Sequence, residues 1–298
     1  MSDALRDVEF IGDPPTLVDP VLIVMLQGWI DAAGSANAAM SAIEGQIDPI
    51  PVATFDPDVF IDYRARRPTM QIREGRNESI EFPSIDLYSG RDLNGRDVLI
   101  LTGSEPDSAW NRFSAATREI CVRLGVARMV GLGAYPFPTP HTRPSKLSCT
   151  TPSLDLLQTM PFTRSSVDVP AGMAAVLEQV LTDAGIPSIG LWAQVPNYVP
   201  AMSYPQASVA LIDGLETAAG LRFERRALQQ EAMIQNSRLD TLVRRNDEHV
   251  EMLRKLEEAY DSAYGATEPA PAFTESDLPT AEELSAEVEQ FLRDSNPD

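Results

Sequence analysis

Short apolar runs alternate with helix-like stretches along residues 21–220. VLIVML (21–26) and DVLILT (97–102) are apolar through their centres, the pattern of strands buried on both faces. PVATFD (51–56), ARMVGLG (127–133), SSVDV (165–169) and PSIGLWAQV (187–195) read as further strands. Between them the pattern predicts helices over 35–44, from Pro106 to a stop at Gly125, over AGMAAVLEQVLTDAG to a stop at Gly185, and over 206–219. Strand and helix in alternation predict a largely parallel sheet covered on both faces. Right-handed crossovers then bring the loop after each strand to one edge, where open α/β sheets bind ligands.

Three stretches depart from that rhythm. TMQIREGRNESIEF (69–82) reads as two strands around Gly75, an inserted β-hairpin of the kind that pairs with a neighbouring subunit. Residues 222–260 lack Pro and Gly and predict an amphipathic helical segment with the stripe Leu239, Leu242, Asn246, Val250, Leu253, Leu256 and Tyr260. The capping-box spacing of Ser237 and Asp240 places a break near Asn236. From Asp261 onward the chain holds ten acidic residues against one base, Arg293. Residues 266–279 have a linker composition, and Leu284, Val288, Phe291 and Leu292 form a small apolar face beyond them. That face suits a protein partner or its own subunit, and disorder is the other alternative. The chain thus divides into an α/β core (1–220) with a hairpin near 69–83, a helical subdomain (221–260) and an acidic segment (261–298).

With 298 residues and 43% hydrophobic content, a sizeable core is affordable. The charge of −20 opposes nucleic acid and anionic membranes as partners, because both need Lys and Arg to replace counterions. Two cysteines and two histidines leave no structural zinc set and no disulfide framework, and no metal is expected. MSDALRDVEF has no apolar signal region, and the longest aliphatic run, Val21 to Leu26, is too short to span a bilayer. A soluble, cytoplasmic protein is expected.

Four segments after strands carry the candidate chemistry. In QGWIDAAGSANAAM (27–40), Gly28 leaves the strand and Gly34 allows close backbone approach before a helix whose N–H groups can hold an anion; Asp31 either caps that helix or faces a ligand. In LTGSEPDSAW (101–110), Gly103 and Ser104 precede Glu105, either a proton-transfer group or a carboxylate at a helix N-terminus. GLGAYPFPTPHTRPSKLSCT (131–150) locks His141 and Arg143 between Pro140 and Pro144, placing an acid/base beside a bidentate anion ligand; a rigid surface loop or an oligomer contact is the alternative. LWAQVPNYVP (191–200) offers Trp192 and Tyr198 as pocket walls or packing residues. No GxGxxG, Walker loop, nucleophile elbow or HExxH occurs, and no cofactor is expected.

Taken in order, GWIDAAGSA, LTGSEPDSAW, GLGAYPFPTPHTRP and LWAQVPNYV resemble the proteasome assembly chaperone 2 family in its actinobacterial branch, over about residues 21–220. The resemblance implies a three-layer α/β/α, phosphorylase/hydrolase-like core with a mostly parallel mixed sheet. It also implies a homotrimer assembled with the hairpin, and C-terminal helices forming a lid over a pocket. Some relatives reach the proteasome through a C-terminal hydrophobic-Tyr-any pattern, whereas this sequence ends Asp294-Ser295-Asn296-Pro297-Asp298. Two readings of function stand. One is a pocket for an unknown anionic or nucleoside-like small molecule, built from Gly28, Asp31, Gly34, Gly103, Ser104, Arg143, Trp192 and Tyr198, with Glu105 and His141 moving a proton. The other is a non-catalytic assembly protein acting through its oligomer and an unknown protein partner of the acidic tail.

Overall fold

The computed structural model describes residues 3–199 and 202–265. The chain runs β1 (Val8–Phe10), β2 (Val21–Gln27), α1 (Ser35–Glu44), β3 (Ile50–Phe55), α2 (Pro57–Phe60), β4 (Thr69–Arg73), β5 (Arg76–Glu81), β6 (Ile85–Arg91), β7 (Asp97–Ser104), α3 (Trp110–Arg123), β8 (Arg128–Phe137), β9 (Leu147–Thr150), α4 (Leu154–Thr159), α5 (Met173–Asp183), β10 (Ser188–Pro196), α6 (Pro205–Ala219), α7 (Arg226–Val243) and α8 (Asp247–Tyr264). Eight strands form one sheet in the order β1-β3-β6-β7-β2-β8-β10-β9. The central four, β7-β2-β8-β10, are parallel, and the outer strands pair antiparallel.

Burial explains the apolar runs. Along β2, Val21, Ile23 and Met25 enter the core under α1 and α6, while Leu22 and Val24 enter the core under α3 and α5. Strand β7 divides the same way, with Val98 and Ile100 on one face and Leu99 and Leu101 on the other. A strand with helices on both faces has no polar side to show, so its sequence loses the alternation of a half-exposed strand. This is the three-layer α/β/α arrangement expected, and β4 and β5 form the separate two-stranded hairpin.

Three local expectations are corrected. Residues 165–169 form no strand; the sheet edge beside β10 is taken by β9, and Thr163 pairs with Ser148 there. Helix α3 begins at Trp110 and not at Pro106, because the Asp107 and Ser108 amides bond to the Phe60 carbonyl and Ala109 is left-handed at φ 55°. No break occurs near Asn236: α7 runs through to Val243, and the chain turns at Arg244–Asn246. The Asn246 side chain accepts the Glu248 amide at 2.9 Å and restarts the chain as α8, with Asp247 and Glu248 at its positive N-terminal end. The apolar face of Leu284, Val288, Phe291 and Leu292 lies outside the described residues.

One carboxyl sits deep in this framework. Glu178 of α5 is 4% exposed against Gly190 of β10, and its Oε1 lies 3.2 Å from the Thr150 hydroxyl. Desolvation pushes its pKa up to about 8. The native state therefore keeps a proton that the unfolded chain has released above its ordinary value, so stability falls as pH rises between the two values. Glu178→Gln is expected to match wild type near pH 4 and to melt at least about 3 °C higher at pH 8.5. Parallel melting curves across that range check it.

Candidate functional site

The ends of the four parallel strands gather the candidate residues at one edge, but in two separate hydrogen-bonded groups. In the first, the guanidinium of Arg66 lies where a Cβ on Gly28 would stand, donating to the Gln27 carbonyl at 2.7 Å and pairing with Asp107 at 3.1 Å. Gly28, at φ 131°, leaves room for it. Asp31 accepts the Ala36 and Asn37 amides at 2.8 and 3.0 Å, so both carboxylate oxygens hold the first turn of α1. Burial raises its pKa against the lowering effect of those amides. Gly34 is left-handed at φ 63° and forms the N-cap of α1.

Gly103 has φ 113°, and the Ser84 carbonyl occupies the place of a Cβ. Ser104 donates its amide to the same carbonyl at 2.9 Å. Glu105 is buried; its amide bonds to the Gln27 carbonyl at 2.7 Å, and its Oε1 accepts the Met173 amide at 2.5 Å. It holds a helix N-terminus, as one reading of the sequence expected. The helix is α5, 68 residues away, and not the one that follows it.

The second group joins the loop after β8 to the C-terminal helices. His141 is fully buried. Its amide donates to the Tyr198 hydroxyl oxygen at 2.8 Å, leaving that hydroxyl proton for Nδ1 at 2.7 Å. Nδ1 is therefore the acceptor, and Nε2–H points to Asp240 Oδ1 of α7 at 3.2 Å. Burial pushes the imidazole pKa down despite the pull of Asp240 and Glu257, which keeps the ring neutral at pH 7. Burial likewise raises the Tyr198 pKa.

Arg143 grips Asp261 of α8 with two bonds, at 2.8 and 2.7 Å, and reaches Glu257 at 3.3 Å. The Thr142 hydroxyl meets Glu257 at 2.5 Å, and the Tyr260 hydroxyl donates to the Pro144 carbonyl at 2.9 Å. The Lys146 ammonium lies 4.9 Å from the Tyr264 ring centroid, a cation–π contact. Trp192 lies across Gly133 and donates to the Thr150 hydroxyl at 3.1 Å. Its role is packing on β8 and β9.

Both groups contain the residue types of acid–base chemistry, but their polar atoms are engaged within the chain. An open cleft of about 570 Å³ lies beside the second group, between the loop 141–145, α6 and α7. His141, Arg143 and Asp240 line it together with Gln206, Asp213 and Asn236. Asp240, Gln206, Asp213 and Asn236 are not among the site residues the sequence suggests, since nothing local distinguishes a pocket-facing Asp or Asn on a helix. Glu257 and Asp261 were legible in principle, as an i, i+4 acidic pair flanking Tyr260 on one helix face. Among the described residues no group of three His, Cys, Asp or Glu side chains is placed to hold a metal. Among those residues no helix is long and apolar enough to cross a membrane.

Fold and strand-end geometry together define a three-layer α/β/α protein whose helical C-terminal hairpin is clamped onto a proline-locked loop. The PAC2 family profile matches residues 25–243, and the chain belongs to that family. It is similar to a Corynebacterium glutamicum protein of unknown function, at 30% identity and TM-score 0.81, covering 86% of this chain and 98% of that one. A PAC2 family protein from Streptomyces avermitilis is 31% identical, with TM-score 0.72 and coverage of 79% and 100%. A Mycobacterium tuberculosis proteasome-assembly chaperone homologue is 26% identical, with TM-score 0.72 and coverage of 78% and 99%. No curated protein matches the chain.

Two outcomes follow from the clamp and the caps. Asp31→Ala removes an acceptor from two helix amides and is expected to cost about 1–2 kcal/mol, read as a lower urea midpoint. Arg143→Ala frees α8 locally: hydrogen exchange over 247–264 should quicken at least about tenfold while the strands of the sheet keep their protection.

Proposed function

We propose that the protein is a non-catalytic assembly component of the cytoplasm, acting as a homotrimer held through its β4–β5 hairpin. The observation that carries this reading is the hairpin's apolar face. Met70 opposes Ile80 across the strand pair, with Ile72 two residues along β4 and Phe82 just past the end of β5, one edge of its ring against Tyr63. All four are between 49 and 57% exposed. An apolar stripe of this kind on a two-stranded ribbon has too little of its own chain to pack against. A head-to-tail contact repeated around a threefold axis would bury it in each copy. The engaged state of Asp31, Glu105, His141 and Arg143 weighs in the same direction, because each already has a structural partner within the chain. The assembly role in the name of the Mycobacterium tuberculosis relative is extended to this chain on the same ground, with the acidic segment beyond α8 as the contact for a protein partner.

Ile72→Asp combined with Ile80→Asp tests this. Wild type should sediment as a trimer and the variant as a folded monomer with an unchanged far-ultraviolet spectrum. A monomeric wild type would remove the trimer from the proposal.

A second reading, ligand binding, is favoured by the cleft beside His141 and Arg143, over which α7 and α8 would act as a lid. A thermal-shift screen with nucleosides, nucleotides, phosphate and small carboxylates tests it for the ligand class expected from the sequence. A ligand held only by the native state adds about 2.7 kcal/mol at a hundredfold excess over its dissociation constant.

A further inference from the structure

The cleft differs from an anion site in what its side chains have left to offer. Its donors are engaged. The Arg143 guanidinium is held by Asp261 and Glu257. Gln206 Nε2 donates to the Arg143 carbonyl at 2.6 Å, and Asn236 Nδ2 donates to Gln206 Oε1 at 2.6 Å. The Ser145 hydroxyl donates to the Gln194 carbonyl at 2.6 Å.

The acceptors are not engaged in the same way. Asn236 Oδ1 is buried with no hydrogen-bond donor among the described residues. Asp240 gives one oxygen to His141, and the other lies 3.8 Å from the exposed Arg244. Asp213 pairs through Oδ1 with Arg225 at 2.9 Å, both side chains being partly exposed. Its pKa is nonetheless raised, desolvation and the nearby Glu216 outweighing that arginine. The cleft also has an apolar wall, made by Val209, Ala210 and Pro144.

We propose that this cleft binds an alkyl cation carrying several N–H donors, its methylenes on Val209, Ala210 and Pro144 and its charged nitrogens at Asp213 at one end of that wall or at Asp240 and Asn236 at the other. The ligand is of the alkylammonium or alkylguanidinium class, presented either by a free polyamine or by a Lys or Arg side chain of a protein. Long basic side chains commonly divide in this way, stem on apolar surface and head among acceptors. Two carboxylates and an amide oxygen match a multi-donor cation and repel the phosphates and carboxylates expected from the sequence. The inference rests on the ligand-binding reading of the cleft and reverses the charge of its ligand.

Isothermal titration of the full chain at 150 mM salt tests it, with spermidine, the peptide acetyl-Gly-Arg-Gly-amide, inorganic phosphate and AMP as probes. The comparison proteins are Asp213→Asn/Asp240→Asn and a charge-matched control, Glu9→Gln/Asp13→Asn, at the opposite edge of the sheet. Spermidine or the arginine peptide is expected to bind wild type and the control within twofold of each other, and the double variant at least tenfold more weakly. Spermidine alone identifies a polyamine site, and the peptide alone identifies a docking site for a basic segment. Equal weakening in the control and the double variant, or cation binding that both variants leave intact, overturns the proposal as diffuse attraction to a chain of charge −20. Phosphate or AMP binding without cation binding overturns the ligand class while keeping the cleft as a ligand site. Silence from all four probes overturns this inference and withdraws support from the ligand-binding reading. Melting curves of both variants confirm that they are folded.

Discussion

Four parallel strands covered on both faces impose a constraint that shapes everything at their C-terminal ends. Each strand delivers its chain to the same edge, and each following helix begins there with amide groups that have lost water and have no partner in the helix. Those amides must find acceptors nearby, at a cost of about 1–3 kcal/mol for each one left buried and unpaired. Asp31 supplies both oxygens to α1, and Glu105 supplies one to α5. Two carboxylates that resemble catalytic groups in sequence are thereby required by the fold itself.

The same edge binds the C-terminal helices, by a different kind of contact. His141 reaches the segment after β10 through Tyr198 and α7 through Asp240, and Arg143 reaches α8 through Asp261 and Glu257. The four prolines at 136, 138, 140 and 144 stiffen the loop that carries both residues. A stiff loop loses little entropy when α8 docks, so a few ion pairs and the Tyr260–Pro144 bond suffice to hold a helix with little apolar burial of its own. The neutral, Nε2-protonated imidazole acts as a fixed link in this arrangement. It shows no unengaged nitrogen to a substrate.

How much of this was legible in the sequence depended on the range of the interaction. The doubly buried strands, the hairpin at Gly75 and the helix stops at Gly125 and Gly185 follow from local pattern and backbone freedom, and the structure has them. The strands β1 and β9 escaped because they are short strands at the two edges of the sheet, and β6 because Asp86, Ser89 and Gly90 interrupt its apolar positions. The start of α3 was misplaced because the amides after Pro106 bond to Phe60, fifty residues away in sequence. The motif segments were found, but their roles were not decidable locally. A carboxylate after a strand reads the same whether its target is a ligand or the amide of Met173. Only the placement of α5 separates the two.

Charge gives the clearest view of what the fold does with an acidic sequence. With 44 acidic residues against 24 basic ones, arginines are scarce relative to carboxylates, and the two half-buried ones at the strand ends, Arg66 and Arg143, are committed. Arg66 fills the space over Gly28, and Arg143 holds α8. A cleft formed after such commitments inherits the surplus, which is in acceptors. That surplus costs little while the carboxylates remain in contact with water, as Asp213 and Asp240 do. It becomes favourable when a cation with a matching set of donors displaces that water and lays its stem on the apolar wall. A cleft of this composition selects by charge first and by the length of the alkyl stem second, because Val209 and Ala210 lie one turn before Asp213 on α6 and line the cleft with it.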